Sequence, residues 1–286
     1  MNEIRSFTQA GYGFTLHAPG LHVGRKRLAQ LTHYAVWGHG LGVQAIRAHA
    51  TGVVKVGLAD NALAVCPVIS TPEHIAAGHT AFQEENAQFL NVIMTGRYSE
   101  HYLKQLAADA PNVTPDELKT ISTPLDFVGL NVYTPSWVRA DSSQETGYRV
   151  VANPPTYPHM EPPWISVGPE ALFWAPMMAH RIYNIRELYI TENGASSKDF
   201  VTDDGHIWDT GRTMYLRNYL SQLHRAIQIG APVKGYFLWS LLDNFEWADG
   251  YSSRFGITYV DFEAQKRIPK LSSAFYNAVI AANSVS

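Results

Sequence analysis

The chain has 286 residues, with 22 Lys and Arg against 25 Asp and Glu and a formal net charge of −3 at pH 7. Charged residues make up 16% of it, against roughly 25% in an average domain, whereas Trp, Tyr and Phe number seven, 15 and 12. This composition is typical of a folded globular chain and excludes disorder. The small negative charge and the lack of a basic run predict no nucleic-acid partner and no membrane-surface partner.

The single cysteine, Cys66, cannot form a disulfide within the chain, which favours a reducing, cytoplasmic location. The first residues lack a charged segment followed by an apolar one, and no apolar run of 18 residues occurs. We therefore expect neither export nor a membrane span. No spacing of Cys and His fits a zinc site, so we expect no metal and no cofactor.

The first predicted elements are a long helix, a buried strand and a second helix. Apolar residues recur at helical spacing over residues 25–50, where Gly38, Gly40 and Gly42 favour close packing rather than a dinucleotide-binding loop. The apolar run 53–59 predicts a strand that ends at residues 60–61. Pro72 follows Thr71 as the first residue of a helix.

Three further apolar runs predict buried parallel strands over residues 125–133, 188–193 and 233–241. Helical patterns at 169–186 and 212–229 separate them, and such alternation is typical of an α/β fold. Residues 140–161 show no periodicity and are too long for an ordinary connection, so we interpret them as a functional loop. No linker divides the chain, and we expect one domain over residues 1–286.

Polar side chains concentrate directly after the predicted strands. The carboxyl ends of parallel strands meet at one edge of a sheet, which predicts a single shared site there. Aromatic residues accompany the carboxylates, and this combination suits sugars, whose C–H faces contact rings while their hydroxyls bond to acids and amides. The polar positions are Asn131, Tyr133, Glu192, Asn193, Asp243, Asn244 and Glu246, and the aromatic ones are Trp239, Trp247 and Phe255.

These residues carry a resemblance to a known family. Residues 189–196, YITENGAS, resemble the nucleophile motif of family 1 glycoside hydrolases, the retaining β-glucosidases. Residues 237–247, FLWSLLDNFEW, are similar to that family's sugar-binding signature, and residues 129–133, GLNVY, to its sixth-strand motif. The resemblance extends from residue 2 to about residue 280. It implies an α/β fold that is the C-terminal half of a (β/α)8 TIM barrel, with about four βα units.

The amino-terminal residues resemble the family's acid/base segment with one departure. Asn2 and Glu3 match that segment, but Ile4 replaces its Pro. The family's earlier strands, with a sugar-binding Gln and His, have no counterparts in this sequence. We therefore expect a partial pocket, and we expect Glu3 to have no preceding strand that holds it near Glu192.

The resemblance implies a role for each site residue. Glu192 is the nucleophile, which has to be ionised, and Glu3 is the acid/base, which needs a raised pKa. Tyr133 hydrogen-bonds the nucleophile, and Asn2 meets the sugar's 2-hydroxyl. The remaining substrate contacts are Asn131, Trp164 on the aglycone side, Trp239, Glu246, Trp247 and Phe255.

Several alternatives stay open at this point. Trp239 and Phe255 could instead be core aromatics. The leading interpretation is an enzyme that hydrolyses β-glycosidic bonds with retention through a covalent glycosyl-enzyme intermediate, and the alternatives are a carbohydrate-binding relic without catalysis or a subunit that needs a separate N-terminal half-barrel. Four parallel strands leave two edges and an apolar face unpaired, so we expect association with such a fragment or with a second copy. Glu246, with Asp243 if it faces the site, should disfavour 6-phosphorylated sugars.

Overall fold

The fold is built around a four-stranded parallel sheet. The computed structural model describes residues 1–285. The α-helices are α1 Arg25–His49, α2 Pro72–Glu85, α3 Val92–Thr95, α4 Glu100–Leu106, α5 Pro115–Ile121, α6 Ala171–Tyr183, α7 Thr210–Gln228 and α8 Leu271–Ala282. The strands are β1 Gly57–Asp60, β2 Ala64–Pro67, β3 Phe127–Asn131, β4 Pro135–Ala140, β5 Tyr148–Val150, β6 Leu188–Asn193, β7 Val233–Leu238, β8 Thr258–Val260 and β9 Arg267–Pro269.

The main sheet has the strand order β1-β3-β6-β7, and its neighbours pair in parallel. Each of its strands is followed along the chain by a helix, namely α2, α6, α7 and α8. This is the predicted set of four βα units. A second sheet has the order β2-β4-β5, and β8 pairs with β9 as an antiparallel ribbon.

Alternation along the strands separates a buried face from a more open one. Leu58, Val128 and Ile190 are at most 1% exposed and belong to the core that the helices cover. The opposite face carries the Phe127 ring, which meets Tyr189 edge-on at 5.5 Å between centroids. On β7, at the sheet edge, Phe237 is 56% exposed. An exposed apolar side chain on a parallel sheet is unusual, because such sheets are normally covered on both faces.

Most of the predicted elements agree with the structure, but two do not. The predicted strand 53–59 forms only from Gly57, since residues 53–56 make no strand pairing. Residues 140–161 are not wholly irregular, because β5 within them pairs antiparallel with β4. Three-residue strands are too short to give a periodic signal, which is why the sequence pattern missed β5, β8 and β9. Within residues 1–285 no helix is both long and apolar enough to cross a membrane.

The small residues of α1 pack as expected at one position. A Cβ at Gly40 would lie 2.2 Å from the Thr120 carbonyl oxygen of α5, so the two helices approach closely at this point. A Cβ at Gly42 would meet nothing within 4 Å. The predicted reason for a small residue, close packing, therefore holds at Gly40 and not at Gly42.

The pair gives a matched test of this contact. We expect Gly40→Ala to lower the free energy of unfolding by about 1–3 kcal/mol, because the backbone of α5 has to move. Gly42→Ala should raise it by about 0.5–1 kcal/mol, since alanine loses less backbone entropy in a helix. Urea denaturation of both variants measures the two changes, and equal effects would contradict the packing argument.

Candidate active site

The centre of the site is the Asn131 side chain at the carboxyl end of β3. A register shift after Leu130 pairs Asn131 with Glu192 across the sheet. Asn131 is 2% exposed, and its Oδ1 accepts a hydrogen bond from the Thr191 hydroxyl at 2.6 Å. Its Nδ2 donates to Glu3 Oε1 at 2.8 Å and to Asn2 Oδ1 at 3.0 Å. One buried amide therefore joins the end of β6 to the amino-terminal residues.

Glu192 lies at the end of β6 with a hydrogen-bond donor on each oxygen. The Tyr133 hydroxyl donates to Oε2 at 2.8 Å, which is the predicted bond, and Asn2 Nδ2 donates to Oε1 at 3.4 Å. Burial raises the pKa of Glu192 to about 7, and the charge of Glu3 adds to the increase. The hydrogen bonds from Tyr133, Asn2 and Asn131 oppose it by favouring the ionised form.

The pKa of Glu192 differs from the sequence expectation. An ionised nucleophile was expected, whereas a carboxyl group with a pKa of about 7 is only partly ionised at neutral pH. The physical reason is that desolvation outweighs the three donors, which the sequence pattern does not reveal. Burial and the neighbouring Glu192 charge also raise the pKa of the Tyr133 hydroxyl, so this group stays protonated and donates its hydrogen bond.

Glu3 is held in place, and the expectation that nothing holds it is wrong. Its backbone N–H donates to the Ala59 carbonyl at 2.9 Å, and the Ala59 N–H donates to the Met1 carbonyl at 3.2 Å. Asn2 thereby forms a parallel bridge with Ala59 of β1. On the side chain, the Ser6 hydroxyl donates to Oε2 at 2.7 Å while Asn131 binds Oε1. Backbone pairing of residues 1–3 with Ala59 therefore holds Glu3 against β1.

The backbone of Glu3 is itself unusual. Its φ is 46°, in the left-handed region that non-glycine residues rarely adopt. Such a conformation costs on the order of 1 kcal/mol and persists only where surrounding contacts fix it. The bonds from Ser6 and Asn131 supply these contacts, and Asn61 Nδ2 in turn donates to the Ser6 hydroxyl at 2.8 Å. Strain of this kind clusters at functional sites.

Three aromatic rings form a wall beside Glu192. Trp164 meets Tyr133 edge-on at 5.5 Å and stacks on Phe255 at 6.3 Å, with an interplanar angle of 23°. Phe255 also contacts Tyr133 at 6.4 Å. Phe255 is 2% exposed and belongs to the core, while Trp164 is 50% exposed. The structure therefore brings the predicted Trp164 to the same wall as Tyr133.

A second group of predicted residues follows β7. Trp239 Nε1 donates to Glu246 Oε2 at 3.4 Å, so these two side chains form one unit. Burial raises the pKa of Glu246, and the Trp239 bond opposes this change. Trp247 is 67% exposed and lies 6.1 Å from the His17 ring. Trp247 thus presents an open aromatic face at the rim of the site.

Two polar residues singled out from the sequence serve the scaffold instead. Asp243 is 4% exposed and accepts bonds from Lys270 Nζ at 2.8 Å and from Arg254 Nη1 at 2.7 Å, so it does not face the site as considered. Asn193 is fully buried and donates to the Val132 carbonyl at 2.7 Å. Both sit directly after strands, where the sequence pattern does not distinguish buried side chains from open ones.

Sequence reasoning missed Ser6 and Thr191, which orient Glu3 and Asn131. Neither residue belongs to a pattern that marks it: Ser6 is a lone hydroxyl three residues after Glu3, and the partner of Thr191 lies on the neighbouring strand. Within the described residues, 1–285, no group of three or more His, Cys, Asp or Glu side chains could hold a metal ion.

Replacing Tyr133 tests the electrostatics of Glu192. Tyr133→Phe removes a donor that favours the ionised form, so we expect the pKa of Glu192 to rise above about 7 by about one unit. NMR titration of 13C-labelled Glu measures it, with Glu192→Gln to assign the signal. Tyr34→Phe, on the exposed side of α1, is the matched control. An unchanged midpoint in Tyr133→Phe would show that the hydroxyl does not influence the carboxylate.

Comparison with known proteins agrees with this geometry. Residues 1–285 match Glycosyl hydrolase family 1. Beta-glucosidase A of Acetivibrio thermocellus is 36% identical over 285 residues, which are 99% of this chain and 63% of that protein. The 1,4-beta-D-glucan glucohydrolase of Thermotoga neapolitana is 37% identical over 293 residues, with the same two shares. The chain thus spans about 63% of the length of the curated relatives it matches.

Solved structures extend the likeness to the fold. The family 1 b-glucosidase from Thermotoga maritima superposes with a TM-score of 0.85 at 35% identity, covering 100% of this chain and 64% of that one. Its complex with glucoimidazole superposes equally well. The predicted fold class is confirmed as a partial (β/α)8 barrel. The chain belongs to glycosyl hydrolase family 1.

Proposed function

We propose that this chain hydrolyses β-glycosidic bonds of β-glucosides and related sugars with retention of configuration. The observation that carries the proposal is that two side-chain amides connect two carboxyl groups by hydrogen bonds. Asn131 donates to Glu3, and Asn2, which accepts from Asn131, donates to Glu192. A retaining mechanism needs two carboxyl groups that flank one bond. Family membership and the β-glucosidase relatives support the same reaction.

In the proposed mechanism the two carboxyl groups act in turn. Ionised Glu192 attacks the anomeric carbon while Glu3 gives its proton to the leaving oxygen, which forms a glycosyl ester on Glu192. Glu3 then takes a proton from water, whose oxygen attacks the same carbon and releases Glu192. The Tyr133 hydroxyl keeps its hydrogen bond to Glu192 Oε2 and orients the attacking carboxylate. In this mechanism Asn2 bonds to the 2-hydroxyl of the sugar.

We propose that the sugar lies between two groups of side chains. Trp164 and Phe255 form the wall on the Tyr133 side. On the other side, Glu246 and Trp239 are bonded to each other and would accept and donate hydrogen bonds to the outer hydroxyls. Trp247 supplies an open ring at the rim. Without Asp243, which is buried, the repulsion of a 6-phosphate rests on Glu246 alone.

Covalent labelling tests the nucleophile. An inactivator with a good leaving group, 2,4-dinitrophenyl 2-deoxy-2-fluoro-β-glucoside, should add one sugar to the peptide that contains Glu192. The rate should rise with pH through about 7, because the ionised form attacks and its pKa is about 7. Mass spectrometry of digests gives site and rate, and Glu192→Gln is the control. Labelling of another carboxylate would overturn the assignment, and no labelling would favour a carbohydrate-binding relic.

Glu3→Gln separates the acid step from the nucleophilic one. We expect hydrolysis of cellobiose, whose leaving group needs a proton, to fall at least 100-fold. Hydrolysis of 2,4-dinitrophenyl β-glucoside should fall much less in its first step. The ratio kcat/KM, which reports the first step, is measured on the two substrates. Ser273→Ala replaces a polar residue on α8, outside the proposed site, and should leave both values unchanged. Equal losses on both substrates would show that Glu3 is not the general acid.

We further propose that the open side of the sheet is covered during function by an N-terminal half-barrel segment or by a second copy. β1 and β7 are the edges of the sheet, and Phe237 on β7 is 56% exposed. Four residues later in the chain, Leu241 is 67% exposed. Unpaired strand edges beside apolar side chains favour association. The buried, free Cys66 supports our proposal of a cytoplasmic location, and we propose no nucleic-acid or membrane partner.

Light scattering tests the association. We expect the chain to form dimers or larger species at micromolar concentration, and Phe237→Lys to lower their fraction, because a charge on an edge strand opposes pairing. Ile46→Lys, which places the same charge at a 51% exposed apolar position of α1, outside both sheets, is the matched control. A dilute monomer that hydrolyses cellobiose as readily as an aryl glucoside would show that no covering element is needed.

A further inference from the structure

A cavity of about 550 Å³ lies beside the proposed site and takes no part in the mechanism above. We name it the β6–α7 cavity, because the loop between β6 and α7 forms most of it. The side chains that matter for its chemistry are Glu161, Ser196, Ser197, Lys198, Phe200 and Trp208. Its volume is in the range of small-molecule sites, about 300–1,000 Å³.

The two aromatic residues of the cavity are held in place by buried ion pairs. Phe200 directly follows Asp199, and Trp208 directly precedes Asp209. Arg212, which is fully buried, donates to both aspartates, at 2.7 Å to Asp199 Oδ2. One guanidinium thus fixes both ends of the segment that carries the rings. Rings on a segment anchored in this way are pre-organised to receive a ligand.

The turn between the two rings is also fixed. The Thr202 N–H donates to the His206 carbonyl at 2.9 Å, and the Gly205 N–H donates to the Thr202 carbonyl at 2.8 Å. The His206 ring stacks on the Trp208 indole at 5.3 Å. Despite these contacts Phe200 is 69% and Trp208 53% exposed. Two large apolar surfaces are therefore held open on the rim of one cavity.

The polar lining contains hydroxyl groups without a partner. Ser196 is fully buried, and its Oγ has no hydrogen-bond partner among the described residues 1–285. The Oγ of Ser197 is likewise buried and unpartnered within that part of the chain. Each hydroxyl can donate one hydrogen bond and accept others. Buried polar groups of this kind are normally satisfied, so two of them at one cavity indicate a polar ligand.

The charges around the cavity balance. Lys198 Nζ lies 3.9 Å from Glu161 Oε1, so these two charges of opposite sign neutralise each other. The buried carboxylates of Asp199 and Asp209 are paired with Arg212, and Lys270 Nζ also reaches Asp199 at 2.5 Å. No excess of either sign is left to attract an ion. An uncharged molecule with hydroxyls and an apolar face fits this lining, and a sugar has both.

The cavity lies close to the proposed site along the chain. The Glu161 N–H donates to the Ser196 carbonyl at 3.4 Å, which joins the two loops that line it. Trp164, three residues after Glu161, belongs to the ring wall beside Tyr133. Ser196 follows Glu192 by four residues, a separation of at most about 14 Å. A ligand of several units can therefore reach from Glu192 to the cavity.

From these observations we propose that the β6–α7 cavity binds a distal sugar unit of an uncharged oligosaccharide whose reacting unit lies at Glu192. Phe200 and Trp208 contact the faces of that unit, and the Ser196 and Ser197 hydroxyls bond to its hydroxyls. The proposal rests on the proposed function for the identity of the reacting unit. It adds a preference for oligosaccharides over short glucosides and assigns that preference to one segment of the chain.

Calorimetry on the whole chain carrying Glu192→Gln, which prevents hydrolysis of the probes, tests this site without turnover, and the variants below are made in the same background. The probes are cellotetraose and laminaritetraose, which differ in linkage, and methyl β-glucoside, which is too short to reach the cavity. We expect at least one tetrasaccharide to bind tenfold or more tightly than methyl β-glucoside. Trp208→Ala should reduce that ratio at least fivefold, whereas Trp208→Phe, which keeps a ring, should change it less than twofold. Tyr34→Ala removes an equally exposed ring on α1 and should leave the ratio unchanged.

The outcomes separate the two proposals. If neither tetrasaccharide binds more tightly than methyl β-glucoside, or if Trp208→Ala leaves the ratio unchanged, the cavity is not a sugar site, whatever the labelling of Glu192 shows. If the ratio behaves as expected and Glu192 is not labelled, the cavity proposal stands as a binding site and the catalytic proposal fails. Circular dichroism of each variant shows that a loss of binding does not reflect unfolding.

Discussion

The Asn131 amide is the interaction on which the proposed chemistry depends. It is buried at the end of a central strand, it accepts from Thr191, and it donates to Glu3 and Asn2. A single side chain therefore links β6 to Asn2 and Glu3, which precede Asn131 by 129 and 128 positions. Because its donors and its acceptor are all used, rotation of the amide would leave several buried polar groups unsatisfied. The register shift at Leu130, which aligns Asn131 with Glu192, is thus a requirement of the site rather than an irregularity.

A second constraint is a buried network of balanced charge behind the site. Three cations and three carboxylates alternate within it, and removing any one would leave an uncompensated buried charge at a cost of about 3–5 kcal/mol. The network connects α7 and the start of α8 with the loops that follow β6 and β7, so it positions the Trp239–Glu246 unit and the β6–α7 cavity together. Its members are Asp199, Asp209, Arg212, Asp243, Arg254 and Lys270.

The sequence predicted the long helices and the four main strands because their apolar periodicity is strong, and long motifs indicated Glu192 and Tyr133. It could not predict how Glu3 is held, since the Ala59 backbone and the Asn131 amide are remote in sequence and act through contacts that no spacing encodes. For the same reason Asp243 looked like a site residue, although Lys270 and Arg254 bury it. The pKa of Glu192 was beyond sequence reasoning too, because it depends on burial and on the proximity of another carboxylate.

The two carboxyl groups depend unequally on what covers the sheet. Glu192 accepts a hydrogen bond from the Tyr133 hydroxyl, and the Tyr133 ring in turn packs against Trp164 and Phe255. Glu3 lies on a bridge to the outer side of β1, an edge of the sheet, where Asn2 is exposed. An element that covers this edge would exclude water from Glu3 first. The surroundings of Glu192 are therefore set by the chain's own contacts, while those of Glu3 are open to change by whatever packs against β1.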